Sequence, residues 1–414
     1  MPHADSHRTA VANESARHLA LADQFSARNY APLPVVIARG RGAWVEDVEG
    51  KRYLDLLSAY SALNFGHAHV EIVSAFVEQA KMLSLTSRAF QNDQFGPFCE
   101  DVTKLAGQDL VLPMNTGAEA VETALKTARK WGYRVKGVPA NEAEIIVCEG
   151  NFHGRTISIV SFSDDPQYRD GFGPFTPGFK VVPYGDKAAL DAAIGPNTAA
   201  FLVEPIQGEA GIIIPEAGYL KHAARLCRER NALLICDEIQ SGLGRTGKLF
   251  ACEWEDVRPD AMIVGKALSG GFYPVSAVLA SDDAMAVFHP GDHGSTFGGN
   301  PLACAVAIAS LEVLRDEGLV EKSRTLGEYF LQRLRDLKAA TVKEVRGKGL
   351  WIGVDIRKEC GTARPYCEHL MELGLLAKET HEQVVRIAPP LVITKDEIDW
   401  AVERIGQALA VNHG

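Results

Sequence analysis

Residues 232–271 read ALLICDEIQSGLGRTGKLFACEWEDVRPDAMIVGKALSGG and indicate the class of fold. The run Ala232–Cys236 is apolar and too short for a helix, which is typical of a strand buried on both faces. It ends at Asp237, and a second apolar run, Ala261–Val264, leads within two residues to Lys266. Open α/β sheets bind ligands at the carboxyl ends of their strands. The sequence therefore predicts that a carboxylate and a lysine lie in one ligand site.

A lysine and a carboxylate at such a site suit pyridoxal 5′-phosphate (PLP). A free lysine has a pKa of about 10.4 and is a poor nucleophile in neutral water. A lysine that holds an aldehyde cofactor covalently can leave it and then act as an amine beside the reacting carbon. PLP is such a cofactor, and an anionic residue keeps its ring nitrogen protonated. Lys266 would be the attachment residue and Asp237 the ring partner, although a surface lysine and a capping aspartate explain these two residues equally well.

The sequence DEIQSGLGRTG at 237–247, followed by GKALSGG at 265–271, resembles the PLP site of class III (subgroup II) aminotransferases. The similarity continues over almost the whole chain. It implies a PLP-dependent transferase of fold type I, an α/β protein whose large domain has a mostly parallel seven-stranded sheet flanked by helices, with a small α+β domain. The implied segments are an N-terminal arm with part of the small domain (1–45), a large PLP-binding domain (46–316) and a C-terminal small domain (317–414).

A phosphate site is expected where a helix begins. Asn115, Thr116 and Gly117 precede an amphipathic pattern, and a helix N-terminus offers unpaired N–H groups to an anion. Simple capping by Asn115 or Thr116 is the alternative. The resemblance implies that Thr116, Gly117 and Ala118 hold the PLP phosphate. The other cofactor residues that it implies are Phe152 on the ring, Asp237, Ile239 behind the ring, Gln240 at the phenolic oxygen, Lys266, and Ser295 and Thr296, which would reach the neighbour's phosphate across a homodimer interface.

A second group of residues is expected around the substrate. The resemblance is to members that transfer the δ-amino group of ornithine to 2-oxoglutarate, giving glutamate 5-semialdehyde, which cyclises to pyrroline-5-carboxylate, and glutamate. Arg155 would hold the distal carboxylate of 2-oxoglutarate, and Glu209 would pair with Arg386 and mask it. Tyr30 and Tyr60 would line the site. Core packing is the alternative for either tyrosine alone, and a surface position is the alternative for Arg155.

Other functions are less well supported. A relative that uses acetylornithine, 4-aminobutyrate or a lysine-type amine fits the same motifs. The glycines of Gly242–Gly247 match the G-x-G-x-x-G pattern of nicotinamide oxidoreductases, but the pattern should directly follow a strand and open a helix. Here the five residues Asp237–Ser241 separate the apolar run from the pattern, and a short aromatic segment, Lys248–Trp254, follows it. We therefore reject that assignment. His67 and His69 have no third ligand beside them, and no metal site is expected. Glu204 receives no role.

Composition excludes some partners. The chain of 414 residues has a net charge of −10, which argues against nucleic acid and anionic membranes. No apolar run approaches the ~20 residues of a membrane span. Asp5 and Glu14 fit poorly in an organelle transit peptide, so a cytoplasmic location is expected. The eight cysteines show no C-x-x-C spacing and are interpreted as core residues rather than disulfides or zinc ligands.

Local patterns predict several further elements. Residues 1 to about 28 are polar and are expected to form a loose arm ending in a short helix. Helices are predicted at Val70–Leu83, Gly218–Arg230 and Pro301–Leu314, and strands at Ile157–Phe162, Ala200–Val203 and Tyr273–Ala280.

Overall fold

A computed structural model describes residues 14–414 of the protein. The predicted arm lies partly outside the described residues, and the part inside them begins with a helix, Glu14–Phe25. Among residues 14–414, no helix combines the length and the apolar character needed to cross a bilayer.

A seven-stranded sheet forms the centre of the molecule, in the order β4-β10-β9-β8-β7-β5-β6. Strand β10 is antiparallel to both of its neighbours, and the strands from β9 to β6 pair in parallel. The predicted mostly parallel seven-stranded sheet is therefore confirmed. Its strands are β4 (Leu110–Met114), β5 (Glu144–Cys148), β6 (Phe179–Val182), β7 (Thr198–Val203), β8 (Leu233–Asp237), β9 (Ala261–Val264) and β10 (Ser276–Ala280).

Helices cover both faces of this sheet. On one face the helix Gly117–Trp131 packs on β9 and β10, because its apolar side chains recur at helical spacing and form one buried stripe. The helix Pro301–Asp316 packs against Val70–Met82 and Phe95–Ala106 and belongs to the larger apolar cluster. Both faces of the central strands are thus buried, as their continuous apolar runs require.

Two four-stranded sheets accompany the large one. The first has the order β1-β2-β3-β13 and the second the order β11-β12-β15-β14. Strand β13 of the C-terminal segment pairs in parallel with β3, and β1 and β2 belong to the same sheet. Residues before and after position 45 therefore share a sheet with C-terminal residues. The domain limits at 45 and 316 stay a prediction. The strands are β1 (Ile37–Arg41), β2 (Trp44–Asp47), β3 (Arg52–Asp55), β11 (Val342–Lys348), β12 (Trp351–Ile356), β13 (Leu375–Leu376), β14 (Lys378–Thr380) and β15 (Val384–Ile387).

The strand predicted at Ile157–Phe162 is wrong. Residues Ile157–Val160 form a short helix, and the Thr156 hydroxyl accepts a hydrogen bond from the Ile159 N–H at 3.3 Å at its start. The sheet position beside β5 is occupied by Phe179–Val182, a strand that the sequence analysis did not predict. A short apolar run fits either structure by its pattern, and here the capping threonine and the occupied sheet edge favour the helix.

The predicted helices and the predicted strand near residue 200 are present, with ends that differ by at most two residues from Val70–Leu83, Gly218–Arg230, Pro301–Leu314 and Ala200–Val203. Strand β10 is shorter than the predicted Tyr273–Ala280. The other helices are Pro166–Arg169, Lys187–Ala193, Tyr219–Glu229, Asp282–Met285, Leu319–Asp336, Ala363–Glu372 and Lys395–Leu409, with a π-helical turn at Gly132–Lys136 and 3₁₀ turns at Ala251–Glu255, Lys266–Ser269 and Lys358–Cys360.

Candidate active site

Four neighbouring strands bring four ionisable side chains to one edge of the large sheet. His153 lies in the loop after β5, Glu204 directly after β7, Asp237 at the end of β8 and Lys266 just after β9. Because β5, β7, β8 and β9 are adjacent and parallel, their carboxyl ends meet at this edge. The four side chains line one narrow cavity of about 150 Å³. The cavity is also lined by Gly117, Ala118, Phe152, Gly154, Ile239 and Gln240.

The Asp237 carboxylate is held by both of its oxygens. Its Oδ2 lies 2.6 Å from His153 Nδ1, and its Oδ1 accepts a hydrogen bond from the Ile239 N–H at 3.0 Å. Burial disfavours the charged form of His153, but the hydrogen bond and the charge of Asp237, with Glu204 nearby, outweigh it and raise the pKa of the imidazole. The carboxylate therefore keeps a fixed orientation, with the His153 imidazole as its partner.

Glu204 is a buried carboxyl group to which the sequence analysis assigned no role. It is 5% exposed and accepts a hydrogen bond from the Phe152 N–H at 3.0 Å. Burial raises its pKa to about 7, which the charge of His153 opposes and that of Asp237 reinforces. Glu204 thus fixes the backbone of the aromatic residue that lines the cavity.

Lys266 is placed by an unusual backbone conformation. Its φ is +43°, in the left-handed region that non-glycine residues rarely adopt. Burial lowers the pKa of its amine, although the charges of Glu209 and Asp237 act in the opposite direction. A lowered pKa increases the fraction of neutral amine, which is the form that bonds to a carbonyl carbon and accepts a proton.

The helix Gly117–Trp131 begins beside the same cavity. Thr116 caps it, since its hydroxyl accepts a hydrogen bond from the Glu119 N–H at 3.2 Å and the Glu119 carboxylate accepts one from the Thr116 N–H at 2.7 Å. The Thr116 side chain therefore caps the helix, and its expected role at the phosphate stays a prediction. Gly117 approaches Ile239 so closely that an added Cβ would lie 3.1 Å from its Cδ1. Gly117 and Ala118, the first two residues of the helix, both line the cavity, so the helix N-terminus, whose first N–H groups can bind an anion, lies at this cavity.

Ser295 lies next to this helix start. Asn115 Nδ2 donates to Ser295 Oγ at 2.8 Å, which ties the loop that contains Ser295 and Thr296 to the residue before the cap. Thr296 is exposed. The expected contact of these two residues with a neighbouring subunit stays a prediction.

A second set of side chains lines a larger opening, here called the mouth, or contacts the residues that line it. Arg386 is 1% exposed, and its Nη2 lies 3.0 Å from Glu209 Oε1 and 3.0 Å from the Gly208 carbonyl oxygen. Its Nη1 donates to Gln240 Oε1 at 3.4 Å, and its Cζ lies 5.3 Å from the centre of the Tyr60 ring. The structure thus brings together the arginine and the glutamate that were expected to pair.

Arg155 also lines the mouth and lies among aromatic rings. Its Cζ lies 4.6 Å from the ring centre of Tyr168, 5.7 Å from that of Phe152 and 6.0 Å from that of Tyr30. Its Nη2 donates to the Tyr168 hydroxyl at 3.4 Å. The mouth is a cavity of about 840 Å³. It is lined by Tyr30, Tyr60, Arg155, Tyr168 and Glu209, with polar residues of 378–383.

Two contacts were not foreseen from the sequence, His153 with Asp237 and Tyr168 with Arg155. His153 is 84 residues from Asp237, and no local pattern links them. Tyr168 belongs to a segment rich in glycine, proline and aromatic residues. An aromatic residue in a loop close to a predicted arginine was the one available signal for Tyr168.

The glycine-rich segment Gly242–Gly247 has a structural role. It forms turns and opens no helix. Arg245 is fully buried there and donates to the carbonyl oxygens of Leu350 and Pro389 at 2.9 and 2.6 Å and to the side chain of Asn64. The segment therefore joins distant parts of the chain and does not provide a dinucleotide site.

The two histidines considered as metal ligands pair with different carboxylates. His67 Nε2 lies 2.8 Å from Asp55, and His69 Nε2 lies 2.8 Å from Glu317. Among residues 14–414, no group of three or more histidine, cysteine or acidic side chains is arranged to hold a metal ion.

Comparison with known proteins agrees with this geometry. The family model "Aminotransferase class-III" matches residues 25–409. The chain is 60% identical over 389 residues to the ornithine aminotransferase of Brevibacillus brevis, covering 94% of this chain and 97% of the relative. The structure of the ornithine aminotransferase of Toxoplasma gondii ME49 superposes with a TM-score of 0.94 at 47% identity, covering 95% of this chain and 94% of the other. That of the acetylornithine aminotransferase of Elizabethkingia anophelis superposes with a TM-score of 0.88 at 54% identity, covering 95% and 98%. The protein belongs to the class III aminotransferases, a family of PLP-dependent enzymes with fold type I.

Proposed function

We propose that the protein is an ornithine aminotransferase, which transfers the δ-amino group of L-ornithine to 2-oxoglutarate. The products are glutamate 5-semialdehyde, which cyclises to pyrroline-5-carboxylate, and glutamate. The observation that supports this substrate pair most directly is the ion pair of Arg386 with Glu209 at 3.0 Å in the mouth. The names of the relatives with about 60% identity over nearly their full length support it independently.

The narrow cavity fits PLP. It combines a lysine with lowered pKa, an oriented buried carboxylate and a helix start whose first residues, Gly117 and Ala118, line the cavity. Lys266 would hold the aldehyde carbon and Asp237 the ring nitrogen. Phe152 and Ile239 would enclose the ring. Gln240 would bond its phenolic oxygen, and Thr116, Gly117 and Ala118 would bind the phosphate. When bound, PLP supplies an electron sink for the charge left at the substrate carbon after deprotonation.

The protein's own groups then move and hold protons. Lys266 Nζ would take the proton from the substrate carbon and deliver it, a role for which burial lowers its pKa in the useful direction. Asp237 would keep a proton on the ring nitrogen of the bound cofactor. Its orientation is maintained by His153 and by the Ile239 N–H, so no reorientation accompanies the reaction.

Two substrates of different shape must enter the same mouth. Ornithine presents its side-chain amine, whereas glutamate presents its α-amine with a carboxylate next to the reacting carbon. Arg386 suits that carboxylate, and Glu209 neutralises Arg386 while ornithine is bound. Arg155 would hold the distal carboxylate of 2-oxoglutarate, because a guanidinium binds a carboxylate with two parallel hydrogen bonds. Tyr30 would contact the α-amino or carboxylate end of ornithine.

We further propose a homodimer in which Ser295 and Thr296 complete the phosphate site of the neighbouring subunit. The exposure of Thr296 and of Phe297, which is 44% exposed, supports this arrangement. The loop is held in place from its own subunit by the bond between Asn115 and Ser295.

A second candidate is another ω-aminotransferase of the same class. The 54% identity to the acetylornithine aminotransferase of Elizabethkingia anophelis favours it. Initial rates with ornithine, acetylornithine, 4-aminobutyrate and lysine as amino donors separate the two. Ornithine is expected to have the highest kcat/KM, and a higher value for acetylornithine would replace the proposed function with the second candidate.

The decisive experiment follows the visible absorbance of the purified holoenzyme. Ornithine alone should remove the band of the lysine-bound cofactor, and 2-oxoglutarate should restore it. Borohydride reduction followed by peptide mapping should place the cofactor on Lys266. A label on another residue, or a band that ornithine leaves unchanged, would contradict the proposal.

A further inference from the structure

The loop that leads to Ser295 is tied to the helix Gly117–Trp131 by a histidine. His293 is half-buried, and both of its ring nitrogens are paired with that helix. Its Nδ1 lies 2.8 Å from Lys126 Nζ, and its Nε2 lies 2.8 Å from Thr123 Oγ1. Thr123 is fully buried, whereas Lys126 is exposed. One imidazole therefore joins the loop to two residues that are neighbours on the surface of the helix.

The hydrogen bonds of His293 run in one direction. An ammonium group only donates, so Nδ1 accepts from Lys126 and the imidazole proton is on Nε2. Nε2 then donates to the Thr123 hydroxyl, which itself donates to the Glu119 carbonyl oxygen at 2.7 Å. Burial and the charge of Lys126 lower the pKa of His293, which favours the neutral ring that this arrangement needs. The histidine is therefore held in one tautomer and one orientation.

Neighbouring contacts hold the same loop. The Asp292 carboxylate forms an ion pair with Lys130, and the Asp292 carbonyl oxygen accepts from Lys126 Nζ at 3.3 Å. The Phe288 ring stacks on the imidazole of His293, with the two ring centres 5.9 Å apart. The loop is therefore held against the second half of the helix.

Two residues after His293 the loop reaches the start of the helix. Asn115 Nδ2 donates to Ser295 Oγ at 2.8 Å, and the same oxygen accepts from the Gly298 N–H at 3.2 Å. Ser295 is half-buried, and Thr296 after it is exposed. The exposed end of the loop is thus anchored twice, by His293 before it and by Ser295 at its base.

We propose that His293 is a positioning residue for the cofactor of the neighbouring subunit, because it fixes the loop so that Thr296 reaches the neighbour's phosphate. The inference rests on the homodimer proposed above and deepens it, since it names the side chain that sets the position of the shared phosphate contact. His293 acts through the loop and need not touch the cofactor. A loop that is already ordered loses less entropy when it binds the phosphate, which increases the affinity.

The first test is the affinity of the apoenzyme for PLP. His293→Ala removes both hydrogen bonds to the helix, so the dissociation constant for PLP should rise roughly 10-fold. His293→Gln keeps a donor near the position of Nε2 and should restore most of the affinity. His289→Ala changes an exposed histidine of the same loop and should bind PLP like the wild type. Equal affinities for His293→Ala and the wild type would overturn the inference.

Hybrid dimers show on which subunit His293 acts. Lys266→Ala removes the visible band of the lysine-bound cofactor from its own subunit, so the band reports only on the subunit that keeps Lys266. In a hybrid of the wild type with the double variant Lys266→Ala/His293→Ala, the remaining site meets the altered loop, and its dissociation constant for PLP should rise as in the His293→Ala homodimer. In a hybrid of Lys266→Ala with His293→Ala, the remaining site meets an intact loop and should match the hybrid of Lys266→Ala with the wild type.

A rise in the second hybrid, alone or together with the first, would overturn the inference, because a purely structural role weakens the subunit that carries the substitution. A monomer in light scattering would contradict the proposed homodimer, and the inference would fail with it. A dimer whose loss lies in the second hybrid contradicts the inference alone. If His293→Ala does not fold, Thr123→Val removes the acceptor of Nε2 and is compared in the same hybrids.

Discussion

The inner end of the site and its mouth are built in different ways. At the inner end, four side chains follow four adjacent parallel strands: His153, Glu204 and Asp237 are buried, and Lys266 is half-buried. At the mouth, the side chains come from distant parts of the chain, and several are partly exposed. Tyr30 is 70% exposed, whereas Arg386 is 1% exposed although both belong to the same expected substrate site.

This difference separates chemistry from substrate choice. The sheet fixes the lysine and the carboxylate relative to each other, and a change there should remove the reaction itself. The mouth depends on pairs such as Glu209 with Arg386 and Arg155 with Tyr168, and a change there should alter which substrate is preferred. Loops on a rigid scaffold commonly divide the work in this way.

The largest effect is expected at the inner end. Lys266→Ala removes the proposed covalent anchor and the proton-transfer group, so kcat for ornithine should fall by roughly 10⁴-fold. The visible absorbance of the lysine-bound cofactor should disappear at the same time. Lys248→Ala, a lysine outside the cavity, is the control and should keep both. Substantial activity in Lys266→Ala would remove the distinction between the two regions.

A smaller effect, and one of a different kind, is expected for Glu209→Gln. The variant leaves Arg386 unneutralised, so ornithine should bind less well and kcat/KM for ornithine should fall about 10-fold, equivalent to about 1.4 kcal/mol. The half-reaction with glutamate needs a free Arg386 and should be unchanged or faster. Stopped-flow absorbance of each half-reaction measures both, and Glu149→Gln serves as an exposed control. An equal loss in both half-reactions would show that Glu209 is not a selective residue.

Tyr168→Phe tests a contact that supports Arg155. The substitution keeps the ring beside the guanidinium and removes only the hydroxyl that accepts its hydrogen bond. A hydrogen bond of this type contributes about 0.5–1.5 kcal/mol, so KM for 2-oxoglutarate should rise roughly 2- to 10-fold. KM for ornithine is the internal control and should stay constant. A parallel rise in both constants would indicate a general disturbance of the mouth.

The smallest effect concerns the pH dependence of stability at the inner end. Glu204 has a pKa raised to about 7 by burial, so the folded state binds a proton more readily than the unfolded state. Its contribution to stability is therefore present at low pH and is lost as the pH rises through about 7. The melting temperature of Glu204→Gln relative to the wild type should increase between about pH 5 and pH 8, whereas that of the exposed Glu149→Gln should not. A difference that is constant with pH would show that the burial of Glu204 does not shift its titration.

Much of the inner end was determined by local sequence. The apolar runs before Asp237 and Lys266 are too short for helices, and apolar residues at helical spacing follow Gly117. These patterns, with the resemblance of the surrounding residues to the family, were sufficient to predict the sheet and the positions of Asp237 and Lys266. Hydrophobic periodicity and strand ends depend on neighbouring residues, so they can be recognised in the sequence.

The tertiary structure alone decided the contacts that join distant residues. His153 meets Asp237 across 84 positions, and the turn Ser58–Ser61 keeps a left-handed path that its serines, alanine and tyrosine do not favour. The run at Ile157 became a helix because β6 occupies the sheet edge beside β5. Local preferences amount to fractions of a kcal/mol per residue, whereas burial and long-range hydrogen bonds act together across the whole fold and can reverse them.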